Sequence, residues 1–97
     1  MLAMMQYTFR GGSAGRDAYQ RFSKWAPSDG FAIKGLWISA HNGGGFVLIE
    51  ADSSRGILEF SAKFKDLNED ITVTPVVEIS EALPIIQSGY EWVDSLS

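Results

Sequence analysis

FAIKGLWISAHNGGGFVLIEA, residues 31–51, holds two apolar runs separated by a Gly-rich turn. The runs, Phe31 to Ala40 and Phe46 to Ala51, are too short for buried helices, are rich in β-branched and aromatic residues, and read as two strands. Between them, His41-Asn42-Gly43-Gly44-Gly45 supplies residues that accept positive φ at little steric cost, so the strands form a hairpin.

On the N-terminal side lies an amphipathic stretch, Gly15 to Ala26, preceded by the apolar run Met1 to Phe9, which ends in Tyr7-Thr8-Phe9 and reads as strand 1. Arg10-Gly11-Gly12 breaks the strand, and Ser13 offers a helix N-cap oxygen. Ala18, Phe22 and Trp25 recur at i, i+4 and i+7, the inward stripe of helix 1. Pro27 ends that helix, because the residue before a proline disfavours the α region. On the C-terminal side the Asp52-Ser53-Ser54 cluster caps helix 2, whose inward stripe is Ile57, Phe60, Ser61, Phe64 and Leu67. Asn68-Glu69-Asp70 closes it, and Ile71 to Ile79 is strand 4, which Pro75 assigns to a sheet edge because proline cannot donate to a ladder. The order β-α-β, turn, β-α-β is a repeated split βαβ unit: an α+β fold (βαββαβ) with one antiparallel sheet and both helices on one face. The other face needs a cover, which predicts a homodimer.

At 97 residues and 45% hydrophobic, the chain is one folded domain. The expected division is a domain over residues 1–88, with a short C-terminal helix (Ser80 as cap, Glu81 to Gln87), and a tail over 89–97. Tyr90, Trp92, Val93 and Leu96 make that tail too apolar to stay solvated, so it is expected to dock. The net charge of −4 and the scattered Lys and Arg argue against nucleic acid as a partner. Zero cysteines suit a reducing compartment, and no apolar run approaches the ~20 residues of a membrane span, so a cytoplasmic protein without a membrane partner is expected.

A loop over His41 to Gly45 predicts Ala40 opposite Phe46, Ile38 opposite Leu48 and Leu36 opposite Glu50. Gly35, Trp37, Val47, Ile49 and Ala51 then face the helices with Ala3, Met5, Tyr7, Phe9, Ile71, Val73, Pro75 and Val77. Leu36, Ile38, Phe46, Leu48 and Val76 fall on the other face and form the expected dimer interface, an apolar patch that soluble monomers rarely leave in water. A one-residue shift in the loop would exchange the two faces of strand 2.

The Gly-Leu-Trp-Ile segment at 35–38, the strand Phe46-Val47-Leu48-Ile49-Glu50-Ala51-Asp52 running into a Ser-capped helix, and Val73-Thr74-Pro75-Val76-Val77 resemble a small uncharacterised bacterial family of the ferredoxin-like, dimeric α/β-barrel superfamily. The resemblance covers residues 1 to about 83. It implies a homodimer whose sheets face each other, with a ligand cleft in each subunit between sheet and helices. Superfamily members include cofactor-free monooxygenases, haem-degrading enzymes, lactone isomerases and plain ligand-binding modules. The asparagine near strand 1 and the helical histidine used by the oxygenase and haem-degrading members are both missing here.

The aromatic residues expected to converge between helices and sheet are Tyr7, Phe22, Trp25, Trp37, Phe60 and Phe64, with Met5 as filler and Tyr7, Tyr19 and Ser61 as polar atoms. An apolar cleft with a few polar groups is the usual form of a small-molecule site. Lys34, near Glu50 on the second face, is a candidate to hold a ligand carboxylate at the mouth of the barrel. His41 reads as an exposed turn residue, Gly43 to Gly45 as hairpin rather than phosphate loop, and the acids Glu50, Asp52, Glu59 and Asp66 lack metal-ligand spacing. No nucleophile has a base beside it, so no catalytic residues, cofactor or metal are assigned and enzymatic activity is left open. The functional expectation is a homodimeric domain that binds a small apolar molecule such as an aliphatic acid. The alternatives are a cofactor-free monooxygenase or isomerase, or a dimerisation module without a ligand.

Overall fold

The computed structural model describes residues 1–97. Strand β1 (Leu2–Phe9) leads through α1 (Ala14–Ser23) to β2 (Phe31–Ile38), and β3 (Gly44–Ala51) leads through α2 (Ser54–Ala62) and a 3-10 turn (Lys65–Leu67) to β4 (Asn68–Pro75). A last helix, α3, spans Ile79–Asp94. The sheet order is β2-β3-β1-β4 with every neighbouring pair antiparallel, the arrangement of a ferredoxin-like fold. Pro75 ends β4, an edge strand, as its missing N–H requires.

The core lies between the sheet and α1 and α2. Ala3, Met5, Val47, Ile49 and Ala51 project from the central strands onto Ile57, Phe60 and Phe64, and a smaller cluster joins Phe9 to Ala14 and Ala18. Both central strands alternate inward apolar with outward residues, the period of two that a sheet covered on one face demands. The helix stripes follow the expected spacing: Ala18 is buried in the smaller cluster, Phe22 and, just past the end of α1, Trp25 are partly buried against the main one, and Ile57 and Phe60 are buried on α2. Both capping serines occupy N-cap positions without capping. Ser13 donates instead to the Asp17 carboxylate at 3.0 Å, and the Ser53 hydroxyl makes no cap bond.

The β2–β3 hairpin corrects the expected register. Ile38 lies opposite Gly45, Trp37 opposite Phe46, Leu36 opposite Val47 and Gly35 opposite Leu48. The turn closes earlier than expected, with the Asn42 N–H donating to the Ser39 carbonyl at 2.8 Å and Asn42 itself at φ 60. Gly44 and Gly45 are therefore buried strand residues rather than loop. The reason is close approach: a β-carbon on Gly45 would meet the Tyr7 hydroxyl at 2.5 Å, and one on Gly44 would strike the Tyr7 backbone. A bulge between Ile33 and Gly35 lets Ile33 face the helices opposite Ile49 before the new register begins.

This odd shift exchanges the faces of the second half of β2. Leu36 and Ile38, expected at the dimer interface, lie on the helix side with Val47. Trp37, expected in the cleft, lies on the open side with Phe46, its six-membered ring over Gly35, where a β-carbon would come within 2.8 Å of it. Phe46, Leu48 and Val76 keep their expected side, joined by Met4, which pairs with Leu48, and by Leu2, whose carbonyl accepts from the Val76 N–H at 3.0 Å.

The expected C-terminal helix is present and runs further than its expected end at Gln87: α3 continues without a break past Ser88 to Asp94, and none of its residues is buried in the subunit. The molecule measures 58 × 31 × 19 Å, and its radius of gyration of 17.0 Å exceeds the about 13 Å of a compact chain this long, because α3 stands away from the domain. No helix is long and apolar enough to cross a membrane.

Candidate functional site

Between the sheet and the two packed helices, the core leaves a cleft of about 50 Å³. β1 contributes Met5, Tyr7 and Phe9; α1 contributes Ala18, Tyr19 and Phe22; β2 and β3 contribute Leu36 and Val47; α2 and the turn after it contribute Phe60, Ser61 and Phe64; and β4 contributes Asn68 and Ile71. Alternation along β1 aims Met5, Tyr7 and Phe9 at the helices, the i, i+4 spacing of Ala18 with Phe22 aims those side chains back, and Phe60 on α2 is joined by Phe64 from the turn that follows it. Aromatic contacts set the walls: Phe60 and Phe64 lie 5.3 Å apart between ring centroids, Phe22 and Phe64 6.4 Å, Tyr7 and Phe9 5.3 Å, and Phe9 meets Tyr19 edge-on at 5.6 Å.

The polar groups of the cleft are few and uncharged. The Tyr7 hydroxyl lies 3.4 Å from that of Tyr19 and donates to the Trp37 carbonyl at 3.5 Å, both long for O–H···O bonds. Burial pushes the Tyr7 phenol well above its ordinary range, with the Tyr19 hydrogen bond adding to the shift, so Tyr7 is a donor at neutral pH and not a base. Ser61 donates to the Leu58 carbonyl at 3.1 Å, within its own helix. Asn68 is the exception to a satisfied interior. Its Nδ2 donates to the Phe64 carbonyl at 2.8 Å, and its buried Oδ1 accepts from nothing.

Of the residues expected to bind a ligand, the structure brings together Met5, Tyr7, Phe22, Phe60 and Phe64, with Tyr19 and Ser61 as polar neighbours. Trp25 packs on the far side of Phe60, 5.0 Å between centroids, and on Phe31 at 5.8 Å, lining a separate surface hollow. Trp37 is on the open face, and Lys34 is exposed at the β2 bulge, so neither lines the cleft. Leu36 enters the cleft only because of the register shift. Asn68 escaped the sequence reading because an asparagine after a helix reads as turn chemistry, and nothing in a linear pattern shows that its amide is buried. His41 is exposed in the β2–β3 turn.

Outside the cleft, Arg21 clamps α1 to the end of α2: its guanidinium donates to the Asp66 carboxylate at 2.8 Å and to the Lys63 carbonyl at 2.6 Å. The hydrogen bonds that Arg21 donates to Asp66 hold the Asp66 carboxyl below the usual carboxylate range and raise the already high value of Arg21.

A family model described as a domain of unknown function, DUF3303, matches residues 1–90. No curated protein matches the chain. Among solved structures, that of Rv0793 from Mycobacterium tuberculosis is similar, with 18% identity, a TM-score of 0.46, and coverage of 80% of this chain and 96% of that one.

Proposed function

This chain belongs to the DUF3303 family, and we propose that its cleft binds a small, uncharged, mostly apolar molecule carrying one O–H or N–H donor. The observation that carries this reading is the unpartnered, buried Oδ1 of Asn68 on the wall of an otherwise apolar cleft. A buried acceptor left unpaired costs about 1–3 kcal/mol, which a ligand donor would recover. The Tyr7 and Tyr19 hydroxyls, held only by long contacts, are available to a ligand acceptor.

Size and charge narrow the class. At about 50 Å³ the cleft is far below the ~300–1,000 Å³ of pockets for larger ligands, so the occupant is a single small ring or short chain. Its entry moves the partly exposed side chains of Leu36, Phe22 and Tyr19. An ionised aliphatic acid fits less well, because no cation lines the cleft and an unpaired buried carboxylate is strongly disfavoured. Binding is favoured over oxygenase or isomerase chemistry because the ionisable side chains of the cleft are the two tyrosines, one of them held protonated.

The test is titration of the protein with phenol, anisole and benzoate followed by amide NMR. Phenol should bind saturably, with shifts centred on Tyr7, Phe60, Phe64 and Asn68, and about tenfold or more tightly than anisole, the equivalent of ~1.4 kcal/mol from one recovered hydrogen bond. Linear, non-saturating shifts with all three compounds, or equal affinity for phenol and anisole, would sink the reading.

A further inference from the structure

Helix α3 has an apolar face with nothing on it. Ile79, Leu83, Ile86, Tyr90 and Val93 recur with alternating spacings of four and three, which places them on one stripe, with Glu81, Ser88, Glu91 and Ser95 on the opposite side. The five stripe residues are between 45% and 69% exposed in the subunit. A lone helix of this length is marginal in water, and Pro84 and Gly89 weaken this one further. The helix therefore requires a surface to lie on. Its own domain does not supply one, because the link Val76 to Glu78 carries it away from the sheet and a concavity of about 510 Å³ opens at its root between Leu2, Glu50, Glu78 and Glu81.

The same chain leaves a second apolar surface bare, the open face of its sheet, where Trp37 is 51% and Phe46 39% exposed beside Met4 and Leu48. We propose that α3 is an exchanged arm: in a two-fold dimer of this chain, the apolar stripe of each α3 covers the open sheet face of the other copy.

Three observations select a second copy as the occupant. Area is the first. Aromatic side chains bury about 150–250 Å² each when enclosed, so the exposed parts of Trp37, Phe46 and Tyr90, with the stripe residues Ile79, Leu83, Ile86 and Val93, supply most of the about 800 Å² per partner of a standard interface. Symmetry is the second, since each copy carries both the arm and the surface that receives it, and a two-fold axis satisfies both at once. Charge is the third. Glu78, Glu81, Glu91 and Asp94 give α3 and its link the whole net charge of −4, with no Lys or Arg, which opposes an anionic lipid surface and also opposes two such helices lying side by side. On the open face the acids are Glu50, opposite Leu2, and Asp70, opposite Thr8, at opposite ends of the sheet, so a helix laid on the Met4, Phe46 and Leu48 patch between them meets less repulsion than beside a second α3.

The test is sedimentation equilibrium and amide hydrogen exchange on the full chain at about 1 and about 100 μM, where mass action separates the states. The variants are the double substitution Leu83→Glu/Ile86→Glu and the single Phe46→Glu. Because Leu83 and Ile86 are exposed in the subunit, their replacement leaves the domain folded, which circular dichroism reads. The wild type should be dimeric at the higher concentration, with protection over residues 79–94 that is lost on dilution, and both variants should be monomeric. A wild-type monomer at the higher concentration overturns the proposal, as does protection of α3 that survives in the monomer, which would mean the arm lies on its own sheet. A dimer abolished by Phe46→Glu but unchanged by Leu83→Glu/Ile86→Glu also overturns it, and would mean that the sheets meet directly.

Discussion

Tyr7 and Gly45 are cross-strand partners, and the tyrosine uses the space that the glycine leaves empty: its hydroxyl stands 2.5 Å from where a β-carbon on Gly45 would be. A β-carbon there would also strike the Trp37 carbonyl of β2, so Gly45→Ala should spread β2 from β3 as well as push the Tyr7 ring off β3, distorting one wall of the cleft. Overpacking of this kind costs about 1–3 kcal/mol. A drop of ~4–8 °C in melting temperature per kcal/mol is expected for a domain of this size, and a melting curve unchanged from wild type would show that both the Tyr7 ring and the Trp37 carbonyl give way freely.

Asn68 separates binding preference from stability. Asn68→Leu removes both the bond to the Phe64 carbonyl and the unpaired acceptor, two effects of opposite sign that should leave stability within about 1 kcal/mol of wild type. The preference for phenol over anisole should disappear in this variant. Retention of the preference would place the ligand's donor on some other group.

Phe60 joins the cleft wall to the rest of the core, with Trp25, Phe31 and Phe64 all within 5.3 Å of its ring centroid. Phe60→Ala should cost about 3–5 kcal/mol, the transfer of a large side chain plus the cavity it leaves. Urea unfolding measures this directly, and a loss under about 1 kcal/mol would mean that the neighbouring rings collapse into the gap.

The Arg21–Asp66 clamp predicts a pH dependence of definite sign. The Asp66 carboxyl is held below its ordinary value of 3.8 in the folded chain, so its contribution is fully present above that pH and is lost as pH falls through the lower, folded value. Arg21 stays charged throughout. Asp66→Asn should lower the melting temperature slightly at neutral pH, by an amount that salt reduces because the pair is exposed, and the difference from wild type should vanish in strong acid. A difference that is constant with pH would assign the effect to shape rather than charge.

The order of the elements, the edge position of β4 through Pro75, and the inward faces of β1 and β3 were legible along the chain, because each follows from a local rule: a period of two, a period near 3.6, a missing N–H; the bounds of β4, which begins at Asn68 and ends at Pro75, and the reach of α3 to Asp94 were not. The sequence also named five of the cleft residues, since rings on the inward stripes of α1, α2 and β1 have nowhere else to meet. Tertiary structure decided the rest. Whether Leu36 or Trp37 faces the helices depends on where the β2–β3 turn closes, and the turn closes so that Gly44 and Gly45 lie in the strand, against the Tyr7 backbone of β1 and the Trp37 carbonyl of β2, contacts that no local pattern reveals. One residue of slip reverses every side chain after it, so the error passed from the loop into both the expected cleft and the expected interface. The burial of Asn68 and the bare stripe of α3 are of the same kind: a linear pattern shows that a group is polar or that a helix face is apolar, and only the packing of distant segments shows whether anything meets it.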